Sequence, residues 1–272
     1  MKKIRIKWKN IFLFLFIIIC ITTLTISCVN LIKSTLDSKK TDKQIENIEN
    51  ETEVETISDE NVQIIEQEEK IDKENPYWEY IKMPLIDVDF AKLKQTNSNT
   101  VGWIKVEGTN INYPFVQAND NNFYLTHSYD KSYNTAGWVF LDYRNNIKRA
   151  DKNTIIYAHG RLDKTMFGSL RNYKDQTYWG YHPFVYIYDD NGGHRYEIFS
   201  AYEADVTSNT YLVGFKDETE KQDFLDECVK QSVIQTNVVP TLNDRILTLS
   251  TCTNTGGYAT RWVVQARLKG ME

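Results

Sequence analysis

From Pro76 onward, short runs of β-branched and aromatic residues recur between turn signals, the pattern of an all-β barrel or sandwich. Eight runs read as strands: VGWIKV (101–106), INYPFVQ (111–117), GWVFLD (137–142), TIIYAH (154–159), FVYIYD (184–189), HRYEIFSAYE (194–203), RILTLST (245–251) and RWVVQARLK (261–269). Glu107-Gly108-Thr109-Asn110 and Asn191-Gly192-Gly193 supply the dihedrals that tight hairpins require. Pro114 inside the second run marks an edge or bulge position. Helical patterning is confined to roughly 76–82, 87–96, 121–127, 163–170 and, most clearly, 217–232, where Phe224, Leu225, Cys228 and Val229 fall at helical spacing between charged residues. Cys228 therefore reads as a packed, small apolar residue.

Upstream the pattern changes twice. Residues 11–32, IFLFLFIIICITTLTISCVNLI, carry no charge and suffice to cross a hydrocarbon core of about 30 Å at about 1.5 Å per residue. Lys2, Lys3, Arg5, Lys7 and Lys9 precede the run, and a basic flank places that end in the cytoplasm and the rest of the chain outside. A cleaved secretory signal has a shorter apolar core, about 7–15 residues, so a retained single-pass anchor is the expectation. Lipoprotein processing at Cys28 is disfavoured by Thr25, where such a signal usually has a large aliphatic residue. Residues 37–74 then carry fourteen Asp/Glu against five Lys, a composition that cannot bury enough apolar surface to fold alone. Ile45 and Ile48 are the exception, spaced as one face of a marginal helix. The expected organisation is a cytoplasmic basic tip (1–10), a transmembrane signal-anchor (11–32), an acidic stalk (33–75) and one globular domain (76–272), long enough to bury roughly 70% of its unfolded surface.

The net charge of −5 sums a basic tip, an acidic stalk and a nearly neutral domain, and no basic patch points to nucleic acid. Of four cysteines, Cys20 and Cys28 fall in the apolar run, which leaves Cys228 and Cys252 and argues against a disulfide framework. No histidine pair has metal-ligand spacing and no glycine-rich phosphate loop is present, so neither a metal nor another cofactor is expected. His127 reads as a helix cap, His182 precedes Pro183 in a loop, and His194 opens a strand.

Three residues remain as candidate chemistry. Cys252 follows RILTLST and begins a loop, where a scaffold strand hands a side chain to solvent. A thiol needs a basic or cationic neighbour to act as a thiolate at neutral pH. His159 stands at another strand end, before Gly160, and Arg261 opens the last strand. Were the last two strands antiparallel partners, Arg261 and Cys252 would share one end, as needed to stabilise an oxyanion beside an attacking sulfur. A strand-end cysteine is also commonly inert, and Arg261 also suits a surface ion pair worth ~0–1 kcal/mol. Spacing alone leaves both readings open.

TLSTC (248–252) followed by Arg261 in a terminal strand resembles the sortase signature, and YAHG (157–160) resembles its histidine motif. VGWIKVEGTNINYPFVQANDNNFYLTH (101–127), GWVFLDYRN (137–145) and the long helix at 217–232 are similar to class B sortases in particular. The resemblance covers roughly 76–269. It implies a mainly β fold, an eight-stranded sortase-type barrel with N-terminal helices and a long helix between strands 6 and 7. It implies Cys252, His159 and Arg261 as catalytic residues, and Asn121, Leu125, Tyr157, Thr207, Tyr211, Leu212, Ser250 and Thr253 as the substrate groove. At Thr253 the chain departs from relatives that carry an acid directly after the cysteine.

The implied activity is that of a membrane-anchored cysteine transpeptidase of Gram-positive-type cell walls. It would cleave a C-terminal sorting signal of a secreted protein after Thr through a thioacyl enzyme, then pass the protein to an amine of a lipid-linked peptidoglycan precursor. Two other readings are an extracellular cysteine peptidase that only hydrolyses, and a non-catalytic wall-binding module using the many Tyr and Trp. The order of His159 before Cys252 disfavours a papain-like peptidase.

Overall fold

The computed structural model describes residues 8–51, 88–147, 151–190, 192–252 and 259–269, with Cys252 placed by its backbone. The chain divides into two compact units at Lys43/Gln44. Helix α1 (Trp8–Glu51) contains the apolar run and is long and apolar enough to cross a membrane. It continues past residue 32 to Glu51, so the first part of the acidic segment is helical. Ile48, with Ile45 beside it, joins the apolar core residues of the second unit. Residues 52–75 and the helix expected at 76–82 lie outside the described residues.

All eight expected strands form: β1 (Thr100–Val106), β2 (Asn112–Val116), β3 (Phe140–Leu141), β4 (Asn153–Ala158), β5 (Phe184–Asp189), β6 (Gly192–Asp205), β7 (Ile246–Cys252) and β8 (Thr260–Lys269). They close a barrel in the order β1-β2-β3-β4-β7-β8-β6-β5, with β2–β3 and β4–β7 parallel and the other pairs antiparallel. Closure gives every described strand a neighbour on both sides. Pro114 is tolerated in β2 for a local reason. The Val116 N–H bonds to Val139 O on the β3 side, the two-residue period puts the Pro114 nitrogen on that side too, and β3 pairs with β2 only at Val116.

Strand β3 is shorter than the run 137–142. Gly137 has φ +62°, and the Trp138 N–H goes to Tyr124 O at 2.9 Å, so the chain enters β3 from a turn. The expected helix at 121–127 is a single 3₁₀ turn, Phe123–Leu125, and the one at 163–170 is replaced by a 3₁₀ run at Gly168–Lys174. Lys164 and Met166 adopt φ 65° and 52°, which a right-handed helix cannot hold, and Asp163 takes the Thr165 N–H into a turn at 3.0 Å. Helix α2 (Phe90–Thr96) is capped by Asp89, and α3 (Gln176–Tyr181), which hydrophobic spacing does not mark, is capped by Asp175.

Trp103, Tyr113, Phe115 and Trp138 are among the fully buried residues of the main core. A second core lies between the sheet and α4 (Glu218–Gln231), joining Phe199, Tyr202, Ile246 and Val263 to Phe224, Leu225 and Cys228. A register shift between Ile198 and Ser200 exchanges the residues that face the two cores. Before it Tyr196 and Ile198 serve the main core; after it Ala201 does, while Phe199, Tyr202 and Ala204 serve the second. Asp217 caps α4 through the Glu220 N–H at 2.9 Å, and Glu220 reaches back to the Lys216 N–H at 2.6 Å.

Candidate active site

Three consecutive strands of the barrel end together. Cys252, the last residue of β7, is the register partner of Arg261 near the start of β8. Directly opposed residues of an antiparallel pair have Cα atoms about 4.5–5.5 Å apart and share one face. On the other flank of β7, Ala158 pairs with Thr251 in the parallel β4–β7 ladder, so His159, the residue after β4, leaves the sheet at the end of β7 that Cys252 occupies. The three candidates thus lie at neighbouring ends of β4, β7 and β8. Tyr157 precedes that end on β4 and Ser250 on β7, and the two are register partners in the β4–β7 ladder.

His159 is fixed by backbone on both sides. Its own carbonyl accepts the Phe167 N–H at 3.0 Å, and the following loop is closed by a bridge between Gly160 and Met166. The ring Nε2 lies 2.8 Å from Leu125 O. A carbonyl only accepts, so this contact requires the proton on Nε2, and the second proton of an imidazolium resides on Nδ1. Gly137 makes this seat possible. A Cβ there would lie 2.5 Å from Tyr124 O, 2.9 Å from Leu125 O and 3.0 Å from His159 Cδ2. The Arg261 guanidinium donates from Nη1 to Thr260 O at 2.9 Å, which holds its stem along β8.

Most of the expected groove residues form one connected wall beside this end. The Tyr157 and Tyr211 rings stack with centroids 6.2 Å apart, and the Tyr211 hydroxyl lies 3.2 Å from Ser250 Oγ. The Tyr157 hydroxyl and Asn121 Nδ2 both donate to Asp142 Oδ2 at 3.0 Å. Buried Asn153 holds the Tyr211–Leu212 segment by donating to Leu212 O at 2.7 Å and Thr210 O at 3.2 Å. Leu125 enters through its carbonyl on His159. Thr207 stands apart, exposed, with its N–H and hydroxyl turned back onto Asp205 Oδ1. Thr253 lies outside the described residues.

Sequence patterning passed over Asp142, Arg144 and Gly137. Asp142 is fully buried and receives two side-chain bonds from Arg144, Nε to Oδ1 at 2.9 Å and Nη2 to Oδ2 at 2.7 Å. Burial raises its carboxyl pKa, but the Arg144 bonds and charge, with Asn121, outweigh it and hold the group below the usual carboxylate range. Burial and the Asp142 charge push the Tyr157 phenol up, so it remains a donor. An acid ending an apolar run with an arginine two residues on was the available signal. Of the other histidines, His127 Nδ1 bonds Phe123 O at 2.8 Å, His194 lies 3.5 Å from Asp189, and the His182 ring packs on Tyr178 with centroids 4.7 Å apart. Cys228 is buried on the inner face of α4, and burial pushes its thiol up to about 12.

Residues 104–269 match the sortase domain family. The chain is 36% identical over 175 residues to sortase B of Staphylococcus aureus, covering 64% of this chain and 72% of that protein. It is 38% identical over 183 residues to sortase B of Listeria monocytogenes, covering 66% and 74%. The structure of a Staphylococcus aureus sortase B–substrate complex superposes with a TM-score of 0.64 at 35% identity, covering 67% of this chain and 85% of that one. With its closed eight-stranded barrel and a domain match over most of that barrel, the chain belongs to the sortase family and is a sortase B-type transpeptidase.

Proposed function

We propose that Cys252, His159 and Arg261 are the catalytic residues of this transpeptidase, acting on secreted proteins with a C-terminal sorting signal. The observation that carries the reading is the convergence of the ends of β4, β7 and β8, with Cys252 and Arg261 in register. The Cys252 thiolate attacks the Thr carbonyl of the sorting signal, and Arg261 stabilises the oxyanion, a contribution of several kcal/mol in a preorganised site. The tetrahedral intermediate collapses to a thioester as His159, in its imidazolium form, gives the Nδ1 proton to the departing amine. An amine of a lipid-linked peptidoglycan precursor then attacks the thioester. Its proton passes to His159, the thiolate leaves, and an amide joins the substrate protein to the wall precursor.

The groove leading to Cys252 is the wall formed by Asn121, Leu125, Tyr157, Tyr211, Leu212 and Ser250. Its two tyrosines present stacked aromatic faces and its polar groups are bonded within the wall, which suits an extended peptide with small or ring side chains. The apolar length of α1 supports anchoring through 11–32, and the basic flank supports a cytoplasmic N-terminus with the barrel outside. The lipid-linked acceptor and a membrane-held substrate would then meet the enzyme at the same leaflet. Protease added to wall-free cells should remove the barrel and spare the N-terminus; a protected barrel contradicts this topology. The activity itself is tested by product analysis of sorting peptides with the soluble domain. With an amine acceptor present the expected product is the new amide; a product that is only the free acid, at any acceptor concentration, identifies a peptidase.

A further inference from the structure

The carboxylate of Asp142 is bonded to three separate parts of the proposed groove. Its Oδ1 accepts the Arg144 backbone N–H and Nε, both at 2.9 Å. Its Oδ2 accepts Arg144 Nη2 at 2.7 Å and both Asn121 Nδ2 and the Tyr157 hydroxyl at 3.0 Å. Arg144 Nη2 also donates to Tyr211 O at 3.1 Å, and Asn121 Oδ1 receives the Tyr143 N–H at 3.0 Å. One buried carboxylate therefore fixes the loop before Leu125, the ring on β4 and, through Arg144, the segment that carries the opposite ring. Asp142 is wholly buried and both its oxygens are engaged, so it acts on a bound peptide only through these neighbours.

We propose that Asp142, with Arg144 as its extension, is a positioning residue that sets the spacing of the groove walls and thereby peptide affinity and selectivity. The inference rests on the groove reading given above. Every group facing the carboxylate is a donor, so only an acceptor satisfies all of them. Asp142→Asn replaces one oxygen by an NH₂, which at the Oδ1 position opposes the Arg144 N–H and Nε and at the Oδ2 position opposes Arg144 Nη2 and Asn121 Nδ2, so the Arg144 link to Tyr211 is weakened in either orientation. The loss of one or two charge-assisted bonds corresponds to roughly a tenfold weakening.

The test compares Asp142→Asn, Arg144→Gln and Leu212→Ala. Leu212→Ala alters the groove without touching the carboxylate. The readouts are kcat and KM for a sorting peptide, the ratio of kcat/KM between two peptides differing upstream of Thr, and the rate of Cys252 alkylation by iodoacetamide. Asp142→Asn should raise KM about tenfold, change the peptide ratio, and leave the alkylation rate within about twofold of wild type. Arg144→Gln should raise KM less. If Leu212→Ala raises KM while both Asp142→Asn and Arg144→Gln leave KM and the ratio unchanged, the positioning role is overturned and the groove stands. A Leu212→Ala variant without effect overturns the groove reading, and this inference with it. A fall in kcat and alkylation together, at constant KM, marks a general loss of structure and also overturns it. Should Asp142→Asn fail to fold, Arg144→Gln decides alone, raised KM supporting the role and unchanged KM ending it.

Discussion

Cys252 and Arg261 face each other across the β7–β8 ladder as register partners, although eight residues separate them in sequence. A hairpin pair of this kind holds its two positions by strand hydrogen bonds rather than by a loop, which is the rigidity an oxyanion site requires. Arg261→Lys keeps the charge and loses the planar fork of donors. Turnover of a sorting peptide should fall about 10²–10³-fold, with the fold retained by circular dichroism. Wild-type turnover in this variant would remove Arg261 from the chemistry.

Gly137 is expected to govern the seat of His159, the proposed proton-transfer residue. Alanine there meets the carbonyls of Tyr124 and Leu125 and the His159 ring, at a φ of +62° that costs roughly 1–2 kcal/mol for an L-residue. Displacing His159 by a fraction of an ångström or more should lower kcat at least tenfold, and the melting temperature should fall as well, because the two carbonyls that must yield are backbone. Unchanged kcat in Gly137→Ala would show that the ring tolerates a different seat.

The Asp142 carboxyl gives a pH signature in stability. Its folded-state pKa lies below the ordinary value because the Arg144 and Asn121 interactions outweigh the opposing effect of burial. The unfolded chain thus binds the proton more readily, and the stabilisation is complete above pH of about 4 and disappears as pH falls through the lower folded value. In urea titrations Asp142→Asn should be less stable than wild type at neutral pH, and the gap should narrow on acidification. A gap that stays constant to strongly acid pH contradicts this account.

Cys228 separates packing from chemistry. Its thiol lies on the inner face of α4, beside the Tyr202 hydroxyl at 3.5 Å, with burial raising its pKa to about 12. Cys228→Ala should cost about 1–2 kcal/mol of stability and leave peptide turnover intact. At mildly alkaline pH the native protein should alkylate at Cys252 well before Cys228. Equal labelling of the two would contradict the assigned burial.

Much of the architecture was legible in the sequence because it is written in short-range patterns. Period-two runs mark all eight strands, and the spacing of Phe224, Leu225 and Cys228 marks α4. The element bounds that moved did so where one local contact overrides the pattern: Gly137 turns Trp138 toward Tyr124 and shortens β3, and positive φ at Lys164 and Met166 dissolves the helix expected at 163–170. Strand ends marked Cys252, His159 and Arg261 as candidates, since each sits where a run meets a loop, and the resemblance chose between the open readings. Asp142 was not visible, because its meaning lies in partners at 121, 157 and, through Arg144, 211, which only the closed barrel assembles. Thr207 was placed by resemblance alone, and its turn onto Asp205 follows from the local Asp-x-Thr geometry.

The central claim, that Cys252 is the acyl-carrying nucleophile, is most directly tested by intact mass of the purified domain and of Cys252→Ala after incubation with a sorting peptide, without amine acceptor. The wild type should gain the mass of the peptide up to and including Thr, less one water, and lose it on adding hydroxylamine, as a thioester does. Cys252→Ala, checked for folding, should gain nothing. An equal adduct on Cys252→Ala, or full peptide turnover by it, would contradict the account.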